Sequence, residues 1–591
     1  RYGQPFALPL PEAAVIQFVV DHAQRDTPQG LKWELPAALV PRLVLVDELP
    51  TRTSGKVDRR ALPQPEFAAG EYVAPESPEE TAVADVFAEL LQVDRVGVTD
   101  SFFELGGNSL SAMRVSARVG DALGVEVSVR DVFEAPSVRE LVAALTGRGS
   151  RIEPVVAVSP RPERIPLSFA QQRMWFLNRL HPSAPTHNMT IVLRLSGDLD
   201  VEALRTALAD VVRRHEVLRT TFPDVEGVPY QLVHPEDSVA DRLDWQVVDS
   251  ESDVFAAVTR GFDVTEEWPF RTRLWPVEPG EFVLAVVFHH IGADGESMAP
   301  LVADLVTAYS ARVAGHEPEF APFAVQFADY AIWQHTVLGS VDDPESVVGR
   351  QLTYWAEQLA GVPDVLELPS DRPRPPVASG RGARARVDIP AEIGERITEV
   401  ARGADVTPFM VLHAAVAVLL ARLSATDDIA VSTPIAGRGQ AELDPLVGMF
   451  VNTLVLRTLI DPAEPFEQLL SAVRDVDLNA FAHADVPFET VVDRLSPVRS
   501  EAFAPLAQVM FSFSPSATAA EALGDAAGIT VEPYADVMVS SQIDLWITVS
   551  SRPAGQEWPV NLDYATDLFD ESSVLEFGER FIRLLDVLTS A

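Results

Sequence analysis

VVFHHIGADGES, Val286 to Ser297, ends an apolar run with two adjacent histidines and then turns through Ala293, Asp294 and Gly295. The run from Phe282 is apolar at nearly every position, which reads as a strand. Successive strand residues point to opposite faces, so His289 and His290 part at the strand end and only one of them serves a given channel. Taken alone, the pair is also compatible with one interior hydrogen-bonded histidine and one solvent-facing one that does no chemistry. No metal is expected, because adjacent histidines lack the i, i+4 helical spacing of zinc sites and no obvious third ligand follows.

Working outward, residues from about Ile165 to Ala591 mix strand-like runs with amphipathic helices such as MAPLVADLVTAYSARV, Met298 to Val313, an alternation that indicates α/β layers. The proline-dense stretch Leu366 to Gly382 divides them into comparable halves, an N-lobe of about 165–340 and a C-lobe of about 385–591. A cleft between two such lobes is a usual place for a ligand site.

Upstream, two proline-rich joints, Ala61 to Pro78 and Thr146 to Pro166, isolate a short segment. Ser77 with Glu80, and Ser137 with Glu140, have capping-box spacing, and apolar residues recur at helical intervals after each. This predicts a small helical bundle. Between those helices FFELGGNSLSAM, Phe102 to Met113, places Ser109 where a loop gives way to a helix. Ser109 reads either as a helix cap or as a serine modified by another enzyme. It is not a nucleophile elbow, since Ser111 stands where glycine is required, and no histidine lies between His22 and His181 to activate it.

Composition narrows the function. The 591 residues carry a formal charge of −41, which argues against a nucleic-acid partner, since phosphate binding needs clustered Lys and Arg. There is no cysteine, so thiol chemistry must use a thiol brought from outside. No apolar run approaches the ~20 residues of a membrane span, so a cytoplasmic protein with no membrane partner is expected. Only Lys32 and Lys56 are lysine, a skew that reads as a GC-rich bacterial genome.

DSFFELGGNSLSAMRV resembles the attachment motif of the carrier domains of nonribosomal peptide synthetases, in which the serine matching Ser109 receives 4′-phosphopantetheine from a phosphopantetheinyl transferase. Gly106 and Gly107 would let that enzyme approach, and a phosphodiester at a helix N-terminus suits the dipole. HHIGADG resembles the active-site motif of condensation domains. PLSFAQQRMWFLNRL (from Pro166), RHEVLRTTF (from Arg214), VQFADYAIWQ (from Val325), STPIAGR (from Ser432), VGMFVNTLVLR (from Val447) and HADVPFE (from His483) are similar to that family's other motifs, in its usual order.

The resemblance implies an α+β multidomain chain: residues 1–70 an adenylation-domain remnant, 71–148 a peptidyl carrier, and 149–591 a two-lobed, chloramphenicol-acetyltransferase-like condensation domain. It implies amide formation between a donor on this carrier and an amine on a downstream aminoacyl carrier, with upstream adenylation and condensation domains supplying the donor, as in antibiotic or siderophore biosynthesis. His290 would be catalytic, Gly295 near the reacting carbonyl with a backbone N–H for its oxygen, and His289 and Asp294 structural. Arg219 occupies the position that salt-bridges the motif aspartate. Lys56, in LPTRTSGKVDRRALP, matches the adenylation lysine, but without a nucleotide-binding core no adenylation is expected. Glu296 stands where many members have Trp, and the motifs lean towards the subtype taking D-configured donors although no epimerisation domain intervenes. A non-catalytic docking platform, opposed by the intact motif, and an epimerisation-type domain, opposed by SFAQQRMW and DGES, are the alternatives.

Overall fold

The computed structural model describes residues 72–91, 93–148, 154–182, 184–498, 500–514, 528–534 and 541–590. The expected adenylation remnant, with Lys56, lies outside them.

The bundle consists of α1 (Pro78–Leu91), α2 (Ser109–Leu123), α3 (Val129–Glu134) and α4 (Val138–Leu145). Pro78 opens α1 at the position where a missing N–H costs nothing. The Ser77 hydroxyl accepts the Glu80 N–H at 3.0 Å, while the Glu80 carboxylate accepts from Glu76 N–H at 2.8 Å, one residue earlier than a capping box requires. Reciprocal boxes do form at Ser137 with Glu140 and, unforeseen, at Ser128 with Asp131. Phe87, Phe102, Val115, Val119 and Leu141 fill the centre. Gly107 is part of this packing: a Cβ there would lie 2.2 Å from the Phe102 ring, whereas one on Gly106, at φ +107°, would meet nothing within 4 Å. The two glycines therefore differ. Gly106 gives the left-handed turn and the open approach, and Gly107 lets Phe102 reach the core.

Among the described residues the larger part holds two large sheets, besides two two-stranded ribbons within residues 220–233. The strands are β1 (Asn188–Ser196), β2 (Trp245–Val247), β3 (Phe270–Glu278), β4 (Glu281–His289), β5 (Gly382–Ile389), β6 (Asp428–Ile435), β7 (Asn452–Leu459), β8 (Val509–Ser514), β9 (Thr530–Pro533), β10 (Leu545–Ser550) and β11 (Trp558–Ala565). The first sheet runs β9-β1-β4-β3-β2 and the second β7-β6-β8-β10-β11-β5. In the second, β6, β8 and β10 are parallel while the outer strands are antiparallel.

β4 is covered on both faces, as its composition requires. Leu284, Val286 and Phe288 join Leu204, Leu208 and Leu301 of α6 (Val201–Arg214) and α7 (Met298–Val313) in one core. Val283, Ala285 and Val287 join Met174 of α5 (Phe169–Leu180), Phe222 and Phe262 in another. The second sheet packs on α8 (Pro408–Ser424), α9 (Phe466–Ala482) and α10 (Glu571–Ser590), with α8 buried almost all round. Among the described residues no single helix is long and apolar enough to cross a membrane.

The lobes are not separate in sequence. β9, from the second half, pairs antiparallel with β1 and gives the first sheet an edge strand, Leu193 facing Pro533. Gly197 permits the approach, since a Cβ on it would lie 2.8 Å from the Gly528 carbonyl.

The halves also meet at one buried ion pair. Asp294, just beyond β4, faces Arg438, just beyond β6, at 2.9 Å, each side chain 1% exposed. Asp294 is not paired with Arg219, as expected from the motif. Arg219 lies at the end of a short 3₁₀ turn, Glu216–Arg219, and points elsewhere, donating to the His234 and Arg213 carbonyls beside Glu216 and Glu236. The Asp294 carboxylate instead accepts from Arg438, from the N–H and hydroxyl of Ser297, and from the Phe450 and Val451 N–H groups. Arg438 also lies over the Phe450 ring, 4.2 Å from its centroid. Every oxygen of the carboxylate is satisfied, which is the condition for a buried pair to persist.

Removing one partner strands the other, so Arg438→Ala should lose about 3–5 kcal/mol in urea unfolding followed by tryptophan fluorescence. Arg219→Ala, measured the same way, should lose less, since its carboxylate neighbours keep access to water. Gly107→Ala should cost about 1–3 kcal/mol through displacement of Phe102, read as a lower midpoint for the bundle's own unfolding by proteolysis.

Candidate active site

The β4 end separates its histidines as alternation requires. His289 is 1% exposed, between Phe262 and the Asn178 amide. The Ile291 N–H donates to its Nδ1 at 3.1 Å, so the proton of the neutral ring sits on Nε2. Burial, with His187 and His290 nearby, pushes this imidazole well below its ordinary range, and it stays neutral. Its ring lies within the interior.

His290 is half-buried and opens away from that core. Its Nδ1 lies 2.9 Å from the Ala293 carbonyl oxygen. A carbonyl only accepts, so Nδ1 carries the proton and Nε2 keeps a lone pair. Ala293 precedes Asp294, whose carboxylate is clamped to Arg438, so the ion pair holds the carbonyl that orients the ring. Gly292 tightens this turn: a Cβ there would lie 2.6 Å from Pro269. Gly295 has no such need, because a Cβ on it meets nothing within 4 Å. Space is left open beside it.

Further polar bonds tie the remaining motifs to the same place. The Gln171 amide donates to the Ile291 carbonyl at 3.0 Å, and the Ser297 hydroxyl oxygen accepts the Gly448 N–H at 3.1 Å. Asn452 donates to the Ala484 and Val486 carbonyls, which seats HADVPFE beside β7. His187, on which no motif falls, also lies here: the His290 N–H donates to its carbonyl at 2.9 Å.

The bundle rests against this part through α2 and α3. Arg114 meets Glu296 at 3.0 Å, Arg118 pairs with Asp444, and Arg130 lies 3.5 Å from Asp475 on α9. Glu296, the departure from Trp, is therefore a contact of the bundle, one residue beyond Gly295. Sequence reading missed Arg114, Arg118 and Arg438, whose only signal was an arginine at i and i+4 on one helix face and an arginine inside STPIAGR.

At the start of α2, the Asn108 side chain accepts the Ser111 N–H at 3.0 Å and the Ser111 hydroxyl accepts the Asn108 N–H at 2.8 Å. The reciprocal cap is made by Asn108 and Ser111, leaving Ser109 as the first helical residue rather than the cap. Ser116, Ser128 and Ser137 have hydroxyls engaged in helix hydrogen bonds. An open left-handed Gly106 and a fifteen-residue helix that begins at Ser109 fit a phosphodiester at this N-terminus.

Comparison with known proteins places these features. The condensation-domain family matches residues 162–591, and the phosphopantetheine attachment site family matches residues 81–145. A probable non-canonical nonribosomal peptide synthetase, CymA, of Salinispora arenicola is 45% identical over 94% of this chain, and a dimodular nonribosomal peptide synthase of Bacillus subtilis is 42% identical over all of it. The chain spans only 7% and 25% of their lengths. Among solved structures, the X-domain in complex with OxyB from teicoplanin biosynthesis is 32% identical, with a TM-score of 0.67 over 75% of this chain and 96% of that one. The first condensation domain of the calcium-dependent antibiotic synthetase, 21% identical with a TM-score of 0.58 over 72% of this chain and 97% of that one, shares the fold. The chain belongs to the condensation-domain family, with a phosphopantetheine carrier domain ahead of it and nonribosomal peptide synthetases as its relatives.

Proposed function

We propose that the condensation part joins an acyl group, presented by the carrier of this chain through Ser109, to the amine of an aminoacyl group on a downstream carrier. The observation that carries the reading is the orientation of His290: its Nδ1–H is spent on the Ala293 carbonyl, so Nε2 of this half-buried ring is left as an acceptor. An α-amino group titrates near about 8, so part of it is already neutral at physiological pH and a strong base is not needed. His290 Nε2 accepts the amine N–H, holds the nitrogen in place and takes its proton as the new bond forms. Gly295 lets the carbonyl approach. When bound, the pantetheine arm supplies the thiol that the cysteine-free chain lacks. His289, Asp294 and Arg438 act through His290 by fixing its strand end and turn.

A second reading draws on the X-domain, which is solved in complex with another protein, OxyB. In it the condensation part is a docking platform that recruits a partner and makes no bond. The oriented and accessible Nε2 favours catalysis.

Mass spectrometry of the chain loaded with an acyl donor and given an aminoacyl thioester acceptor should show amide, and His290→Ala should slow its formation by about 10²–10⁴-fold. No amide from the unaltered protein sinks the catalytic reading. Gly295→Val should keep the unfolding midpoint, since no protein atom is in the way, yet slow the reaction by about 10²-fold through displaced substrate. The contacts between carrier and condensation part include ion pairs with partly exposed partners, each worth about 0.2–1 kcal/mol. Raising salt from about 0.1 M to about 1 M, which shortens the screening length from about 10 Å to about 3 Å, should therefore slow transfer from the carrier several-fold and leave transfer from a free thioester unchanged.

A further inference from the structure

Helix α2 of the carrier meets the condensation part with a face that has both a charge pattern and a shape. Arg114 and Arg118 stand one turn apart on it, with Ala117 beside them. Arg114 reaches Glu296 on the turn after β4, and Arg118 reaches Asp444 on the segment after β6. At Ala117 the helix comes close to the opposing backbone: a Cβ on Gly439 would lie 3.6 Å from the Ala117 Cβ, an ordinary van der Waals distance. Two small residues meet there, and a long side chain in place of Ala117 would hold the helix away.

The charges on both sides are held in place. The Arg118 side chain is 12% exposed, against 32% for Arg114 and 39% for Arg130. Glu89 of α1 takes one of its terminal nitrogens at 2.5 Å, which leaves the other for Asp444. The carrier therefore orients its own arginine before any contact is made. On the opposite surface, Asp444 follows Leu443 and is soon followed by Leu446, both buried, while Glu296 adjoins Ser297, whose N–H donates to the Asp294 carboxylate.

Joining groups from two carriers requires that each carrier be admitted on its own side. Selection of that kind needs rejection as well as attraction. An acidic residue at position 118 would face Glu89 and Asp444 together, and one at position 114 would face Glu296. We infer that Glu296, Gly439 and Asp444 form a selection surface that admits, as donor, a carrier whose second helix has arginines at the places of Arg114 and Arg118 and a small residue at that of Ala117. This rests on the condensation reading above.

The first test needs no turnover. The full chain with Ser109 unmodified contains no thiol, so Ala117→Cys with Gly439→Cys introduces one pair, whose Cβ separation lies in the disulfide range of about 3.5–4.5 Å. Mild oxidation should link the pair, seen as a joined peptide by mass spectrometry. Adding Arg114→Glu should slow the linking by about tenfold, and adding Glu296→Arg to that should restore it. Failure to link, or equal rates in the three backgrounds, overturns the assignment. The second test uses the holo chain without the introduced cysteines, its carrier loaded with an acyl donor and given an aminoacyl N-acetylcysteamine thioester as acceptor. Arg114→Glu and Glu296→Arg should each slow amide formation by about tenfold, with most of the loss returning in the double variant, and Ala117→Leu should slow it to a similar extent. A double variant as slow as either single one, or an Ala117→Leu variant as fast as the unaltered protein, overturns the inference. If the unaltered holo chain forms no amide, the condensation reading fails by itself, and the linking rates still decide whether this surface selects the carrier.

Discussion

Asp294 and Arg438 are the constraint on which the site depends. Taking two charges out of water is expensive, and the cost is offset only where further hydrogen bonds support the pair. Here the partners of the carboxylate come from both halves: Ser297 follows Asp294 in the first, and the Phe450 and Val451 N–H groups belong to the second. The pair therefore closes only when the lobes are in register. Its consequence reaches the chemistry through a single covalent step, because the residue before Asp294 supplies the carbonyl that sets the proton on His290. The hydrogen-bonding sense of the His290 ring is thus tied to how the lobes meet.

The strand end adds a second, independent constraint. β4 is apolar on both faces, so its hydrogen bonding and side-chain alternation are enforced by two cores at once. A slip of one residue would exchange His289 for His290 and bury the wrong ring. The glycine at 292 permits a tight turn against Pro269, which ends the strand before a third ring-facing residue can follow. Rigidity of this kind suits the proposed reaction, since His290 is then in place before either substrate arrives.

What could be read in the sequence was whatever depends on period and local chemistry. Alternation separated His289 from His290, capping chemistry located α1 and α4, and the proline-dense joints set the bundle apart. Ser109 was legible through its surroundings, although the cap proved to be Asn108 with Ser111. What could not be read were pairings made at long separation. Arg438 is 144 residues from Asp294 in the chain, and nothing in RHEVLRTTF reveals that Arg219 is turned towards the His234 carbonyl. β9 was assigned to the second half because local patterning carries no information about which sheet edge a four-residue strand completes. His187 has no motif around it; it ends a 3₁₀ turn before β1 and meets His290 through a backbone bond.

The contrast between the buried pair and the carrier contacts has a functional logic. Arg114, Arg118 and Arg130 meet acidic partners at the surface, in ion pairs that salt screens and that individually contribute little. A carrier must depart to be reloaded, so a contact as strong as the lobe junction would trap it. Yet Glu296, the partner of Arg114, lies only two residues beyond Asp294, on the same short turn that ends at Ser297. The reversible contact and the permanent one are thus built on one rigid turn, and the carrier docks against a surface whose shape the lobe junction determines.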